Sequence, residues 1–141
     1  MTTLATALEA VRDRIEAQTS LSRSRVVDSL AGIPDHLQPL SFAAWPASTR
    51  NTRDLRAQSG TAGFDDEITI EIANRLTVDE IGAFDTAMTT ARSVRIAVTN
   101  GAWWKGAGIE CVEYLSERRQ RRGGWVIIAQ VYRLRRRDSL G

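Results

Sequence analysis

The run from Ile109 to Arg137 constrains this chain most: IECVEYLSERRQ, then RRGG, then WVIIAQVYRLRRR. Two strand-forming stretches flank a double glycine, the pattern of a β-hairpin at about residues 109–137. In the second stretch Trp125, Ile127, Ala129 and Val131 alternate with Val126, Ile128, Gln130, Tyr132 and Leu134. A strand apolar on both faces is central in its sheet or covered twice. The same unit carries Arg118, Arg119, Arg121, Arg122, Arg133, Arg135, Arg136 and Arg137, so its stem is apolar while its tip and exit are cationic. Such a hairpin can be a nucleic-acid ligand, a subunit contact or a solvated edge.

The remaining pattern supplies what the hairpin packs on. Leu4, Leu8, Val11 and Ile15 follow the helical period behind the caps offered by Thr2 and Thr3, with Glu9, Asp13 and Glu16 off the stripe. A second short helix is expected over Leu21 to Leu30, stopped by Gly32, Ile33 and Pro34. Leu40 to Trp45 reads as a short strand, and Pro46 to Gly63 as a long irregular loop of the kind that orders against a partner. Ile68, Ile70 and Ile72 alternate with Thr69, Glu71 and Ala73 in a half-buried strand from Asp66 to about Leu76. Asp79 or Thr77 then caps a helix with Ile81, Phe84, Ala87 and Met88 on its buried face. Ala91 to Thr99 is read as helix, though Val94, Ile96 and Val98 also fit a strand. Together these predict one α+β domain of 141 residues, a mostly antiparallel sheet with helices packed on one side.

Hydrophobic residues make up 43% and charged residues 26%, and no apolar run approaches the roughly 18 residues of a membrane helix. The acid-bearing start MTTLATALEAVRDRIEAQ does not resemble a signal or transit peptide, so synthesis in the cytosol without export is expected. The single cysteine, Cys111, is expected in a strand core, and the single histidine, His36, in a loop. A His/Cys metal site or a Ser-His-Asp set would have to use that one histidine. No phosphate-binding glycine loop, CxxC pair, HExxH helix or GxSxG elbow occurs. These features point away from an enzyme and imply no cofactor and no metal.

What remains is contact chemistry. The net charge is +2, yet Asp65, Asp66, Glu67, Glu71, Asp79, Glu80 and Asp85 face only Arg75 within their segment, whereas Arg118 to Arg137 holds no acid. Opposite charges on one small protein can interleave internally or complement each other between copies. In the second case Asp65, Asp66, Glu67 and Glu71 of one copy would meet Arg118, Arg119, Arg121 and Arg122 of the next. Arg50, Arg53 and Arg56 of the long loop, with Trp103 and Trp104 of the glycine-rich NGAWWKGAG stretch, would then be candidates for contact with an axial partner. The two tryptophans can equally roof the domain's own core.

The N-terminal amphipathic helix, the strand DDEITIEIANRL running into TVDEIGAFDTAM, and the closing GGWVIIAQVYRLRRR together resemble the tail terminator proteins of long-tailed bacteriophages and phage-derived particles. The resemblance implies a subunit of a homohexameric ring on the head-proximal end of the tail tube, in the neck of the virion. Its partners would be the tail tube protein and a head-completion or connector protein, with DNA passing through the ring without specific binding. Another neck component shares that logic. A different class, a nucleic-acid-binding module, would place the hairpin arginines on phosphates and Trp103 or Trp104 on bases. The acidic segment and the small net charge count against it.

Overall fold

The computed structural model describes residues 1–24, 30, 38–52 and 60–139. Five strands, β1 (Ser22–Arg23), β2 (Ser41–Asn51), β3 (Thr61–Arg75), β4 (Ile109–Arg122) and β5 (Trp125–Ser139), form one sheet in the order β1-β2-β3-β5-β4. Only the short β1 and β2 run parallel, and every other pairing is antiparallel. Two helices, α1 (Leu4–Gln18) and α2 (Glu80–Thr99), pack on the same face. The α+β architecture expected from the sequence is therefore the observed one.

Each element has a local cause. Thr3 caps α1 by accepting the Thr6 N–H at 3.1 Å, and Ala7, Leu8, Val11 and Ile15 are its buried stripe. Asp79 caps α2 by accepting the Gly82 N–H at 3.0 Å. Ala91 to Thr99 continues α2 without a break, because Ala87, Ala91, Val94, Ala97 and Val98 keep the helical period on the buried side. β5 lies between β3 and β4, as its two apolar faces require.

The helix-side core joins α1 and α2 to Phe42, Ile68, Ile70, Ile72, Ile128 and Tyr132. On the reverse face a smaller cluster of Leu30, Ala43, Ala73 and Ile127 is flanked by Trp45 and Trp125. Two arginines of α1 fix the helices laterally: Arg12 donates to the Ala44 carbonyl at 2.7 Å and Arg14 to the Ala97 carbonyl at 3.0 Å. Arg23 of β1 bonds Glu9, Asp13 and Glu16, so the polar side of α1 is tied to the sheet edge, and these three acids raise the Arg23 guanidinium above its ordinary value.

Several expectations are corrected. Ser22 and Arg23 are strand rather than the start of a second helix, and most of the rest of that segment lies outside the described residues. Both ends of the loop expected over 46–63 are strand, since β2 continues to Asn51 and β3 begins at Thr61, and 53–59 lie outside the described residues. Proline signalled a break there, but β1 covers β2 only at Ser41 and Phe42. Among the described residues Pro46 thus stands where β2 pairs only with β3, beside a bulge between Pro46 and Ser48, a position that tolerates a missing N–H.

Cys111 is exposed on the edge strand β4 rather than part of the core. A register shift between Ile109 and Cys111 interrupts the regular pairing with β5 at this point. Ile81 and Phe84 are not a buried face either, with 77% and 39% of their surface exposed. The first turns of α2 stand off the sheet, leaving a groove of about 420 Å³ lined by Leu76, Ile81, Phe84 and Val126.

Candidate functional site

The acidic strand and the arginine-rich strand are neighbours within one chain. β3 and β5 pair over their whole length, bringing Asp65 opposite Arg135 and Asp66 opposite Leu134. Alternation then sends successive charges to opposite faces. On the helix side Arg136 grips Asp66 with two bonds, Nε to Oδ2 at 2.5 Å and Nη2 to Oδ1 at 3.2 Å, while the Thr49 hydroxyl donates to Oδ1 at 2.6 Å. The same guanidinium donates to the Thr2 carbonyl at 3.2 Å and to Asp138 at 3.3 Å, and lies over the Phe64 ring at 5.0 Å. Asp66 is wholly buried and Arg136 nearly so.

This is a latch on the N-terminus. Thr2 also donates its N–H to the Arg137 carbonyl at 2.8 Å and its hydroxyl to the Gly108 carbonyl at 3.1 Å, so α1 starts from a fixed point. Gly108, at φ +75, is required there twice over. The left-handed backbone favours glycine, and a Cβ would come within 2.0 Å of the Thr2 hydroxyl oxygen.

On the other face Arg135 donates to Asp65 at 2.9 Å and 3.4 Å, and Arg50 approaches the same carboxylate at 3.6 Å. The Arg135 bond, working against partial burial, holds the Asp65 carboxyl below the usual carboxylate range. The folded chain therefore binds that proton less readily than the unfolded one. Its contribution to stability is complete above the unfolded carboxyl value of about 3.9 and is lost as pH falls through the lower folded value. Urea melts of Asp65→Asn across that acid range should show a shallower loss of stability than wild type. An acid limb unchanged by the substitution would contradict this assignment.

The contact between copies expected of Asp65, Asp66 and Glu71 is thus not available to them. Asp65 and Asp66 are buried with partners on their own chain, and buried Glu71 accepts the Leu30 N–H at 2.5 Å. The Arg partners were hidden because they lie about 70 positions away in sequence and only strand register brings them close. Half-buried Glu67 lies opposite Arg133 and is not part of the latch.

The hairpin arginines divide by face. Arg121 forms an ion pair with Glu80 at 2.7 Å, and Arg119 with Glu117 at 3.0 Å, both on the helix side. Arg122 and Arg118 lie opposite Trp125 and Ala129 and point to the reverse face. Both are exposed and have no ion-pair or hydrogen-bond partner among the described residues.

Trp103 and Trp104 are half-buried against the helix-side core, and the Trp103 indole N–H donates to the Val98 carbonyl at 2.9 Å. They roof their own domain, the second of the two roles expected of them. Arg50 sits on strand β2 and not in a loop, whereas Arg53 and Arg56 lie outside the described residues, as does His36. Among the described residues no group of three or more His, Cys, Asp or Glu side chains could hold a metal ion, and no helix is long and apolar enough to cross a membrane.

The sequence pointed to the cationic tip of the hairpin as a contact but missed the groove that lies beside it. On the helix side the groove joins exposed Ile81 and Phe84 to Leu76 and Val126, with Val78 fully exposed beside it. On the reverse side stand Trp125, Arg118 and Arg122. The only signal for the groove was the acid-rich start of α2, which dilutes its apolar stripe. No protein-family model matches the chain, and no curated protein matches its sequence.

Proposed function

We propose that this protein is a structural assembly subunit, a tail terminator that forms a ring on the head-proximal end of a phage-type tail tube. It would stop tube polymerisation there and present its other face to a head-completion or connector protein, as part of the virion neck. The observation that carries the reading is the division of labour among charges. The strongest acid-arginine pairs are spent inside the chain on holding the N-terminal helix to the sheet, and apolar, aromatic and arginine side chains are left at one exposed end. Those are the residue types enriched where proteins meet proteins. A rigid subunit with unlike surfaces on its two sides suits a ring, which needs one contact repeated head to tail and two distinct axial faces. The mechanism is assembly with no reaction.

The element order supports the same reading. An N-terminal helix, strands β2 and β3, helix α2 and the closing hairpin follow one another as the resemblance implies. The test is polymerisation of a tail tube protein from the same source, with the purified protein added. Electron micrographs should show density at one end of each tube and elongation should stop. Tubes that lengthen unchanged, with bare ends, would refute the proposal.

A further inference from the structure

The hairpin end of the molecule carries two unlike surfaces on opposite sides of one sheet. On the helix side is the apolar groove, with Ile81 and Phe84 on its rim. Its ionic groups are not balanced. Glu80 is neutralised by Arg121 and Arg119 by Glu117, whereas Asp85 has no side-chain partner among the described residues. Asp79, the cap of α2, faces away from this groove and lines the cavity on the other side of the helix with Arg75 and Thr77, so among the described residues the unpaired negative charge of the groove is Asp85 alone. On the reverse side Arg118 and Arg122 project from β4 around Trp125, four residues or about 13 Å apart along the strand. That side carries spare positive charge beside an indole that is partly buried against the reverse-face cluster.

We infer that these two surfaces are the two halves of one contact: the groove of one copy receives the Trp125, Arg118 and Arg122 face of the next. The charges complement, since Asp85 of the groove meets Arg118 and Arg122, which have no partner among the described residues. The apolar parts complement as well, because exposed Ile81 and Phe84 gain cover from an aromatic face. Among the described residues Ile81, Phe84, Arg118 and Arg122 stay exposed, and one contact accounts for all four. A patch that meets an unlike patch on the opposite side of a second copy makes a head-to-tail contact, which closes into a ring or runs on as a filament. Closure as a hexamer rests on the terminator reading, and the contact itself does not. Cationic strand residues beside an indole could also take up nucleic acid, but that occupant leaves the apolar groove uncovered.

The experiment is native mass spectrometry of the full chain, with light scattering, on wild type and on Arg118→Glu/Arg122→Glu and Phe84→Asp. Circular dichroism and thermal melts check that each exposed substitution leaves the fold intact. Wild type should be a ring, and each variant should dissociate to monomer with at least a tenfold weaker association. Adding Asp85→Lys to the arginine variant exchanges the charges across the contact and should recover much of the lost association. A monomeric wild type, or rings unaffected by both variants, would overturn the contact. Monomers that bind DNA with a salt dependence lost in the arginine variant would overturn it in favour of nucleic acid. Rings that need this contact yet fail to cap tubes would support the contact and refute the terminator reading, and capping by a protein whose variants still assemble would do the reverse.

Discussion

Asp66→Ala is expected to lower the free energy of unfolding by about 3–5 kcal/mol, the usual cost of removing one partner from a buried ion pair. Arg136 would keep its charge with only 6% of its side chain exposed, after losing both bonds to the carboxylate. The Thr49 hydroxyl would lose its acceptor too. Asp65, the residue before it, gives a natural control. Its partner Arg135 is 51% exposed, so water replaces the lost carboxylate and the effect of Asp65→Ala should stay within about 1 kcal/mol. Adjacent aspartates in one strand thus differ several-fold because alternation sends one to the interior and the other to the rim. Urea denaturation of the two variants measures the difference. If Asp66→Ala cost less than about 1 kcal/mol, the latch could not be holding the N-terminal helix in the way its geometry indicates. A double replacement, Asp66→Leu with Arg136→Met, should recover much of the loss, since it removes the stranded charge along with its partner.

Residues that report on their own neighbourhood were legible in the sequence. The alternation of Ile68, Ile70 and Ile72 marks β3, the helical spacing of Leu8, Val11 and Ile15 marks α1, and Gly123 with Gly124 marks the hairpin turn, so the α+β class followed from local pattern. Residues whose role is set by register were not. Asp66 finds Arg136 only because β3 and β5 align over fifteen residue pairs, and no spacing rule reaches across that separation. Pro46 suggested a loop because its effect depends on whether a neighbour strand needs its N–H, which is a property of β1's length. Ile81 and Phe84 satisfied the helical period of a buried face, yet the sheet leaves a groove beneath them. Periodicity gives the direction of a side chain and cannot say whether anything within the same chain stands opposite. The charge asymmetry was real, but its acidic strand is spent inside the molecule. The exposed apolar side chains beside the hairpin come from the start of α2.

Gln130→Leu should be the second large effect, a loss of about 2–4 kcal/mol, because two buried groups would be stranded at about 1–3 kcal/mol each. Gln130 is wholly buried on the helix side of β5. Its amide nitrogen donates to the Ala91 carbonyl of α2 at 2.8 Å and to Glu117 of β4 at 3.0 Å. Its oxygen accepts the Tyr132 hydroxyl at 2.7 Å. Burial pushes that phenol far above its ordinary value, so it remains a donor at any working pH. Leucine matches the volume and removes every polar atom, leaving the Tyr132 hydroxyl without its acceptor and Glu117 with Arg119 alone. The amide is also the polar tie between β5 and the middle of α2, the helix whose first turns carry the groove, so its loss should loosen the surface on which assembly is inferred to depend. A double-mutant cycle with Tyr132→Phe isolates the network: phenylalanine removes the stranded hydroxyl, so the pair of substitutions should cost less than their sum by at least about 0.5 kcal/mol. Strict additivity would mean that the three side chains are merely neighbours, and that α2 is held by its apolar contacts alone.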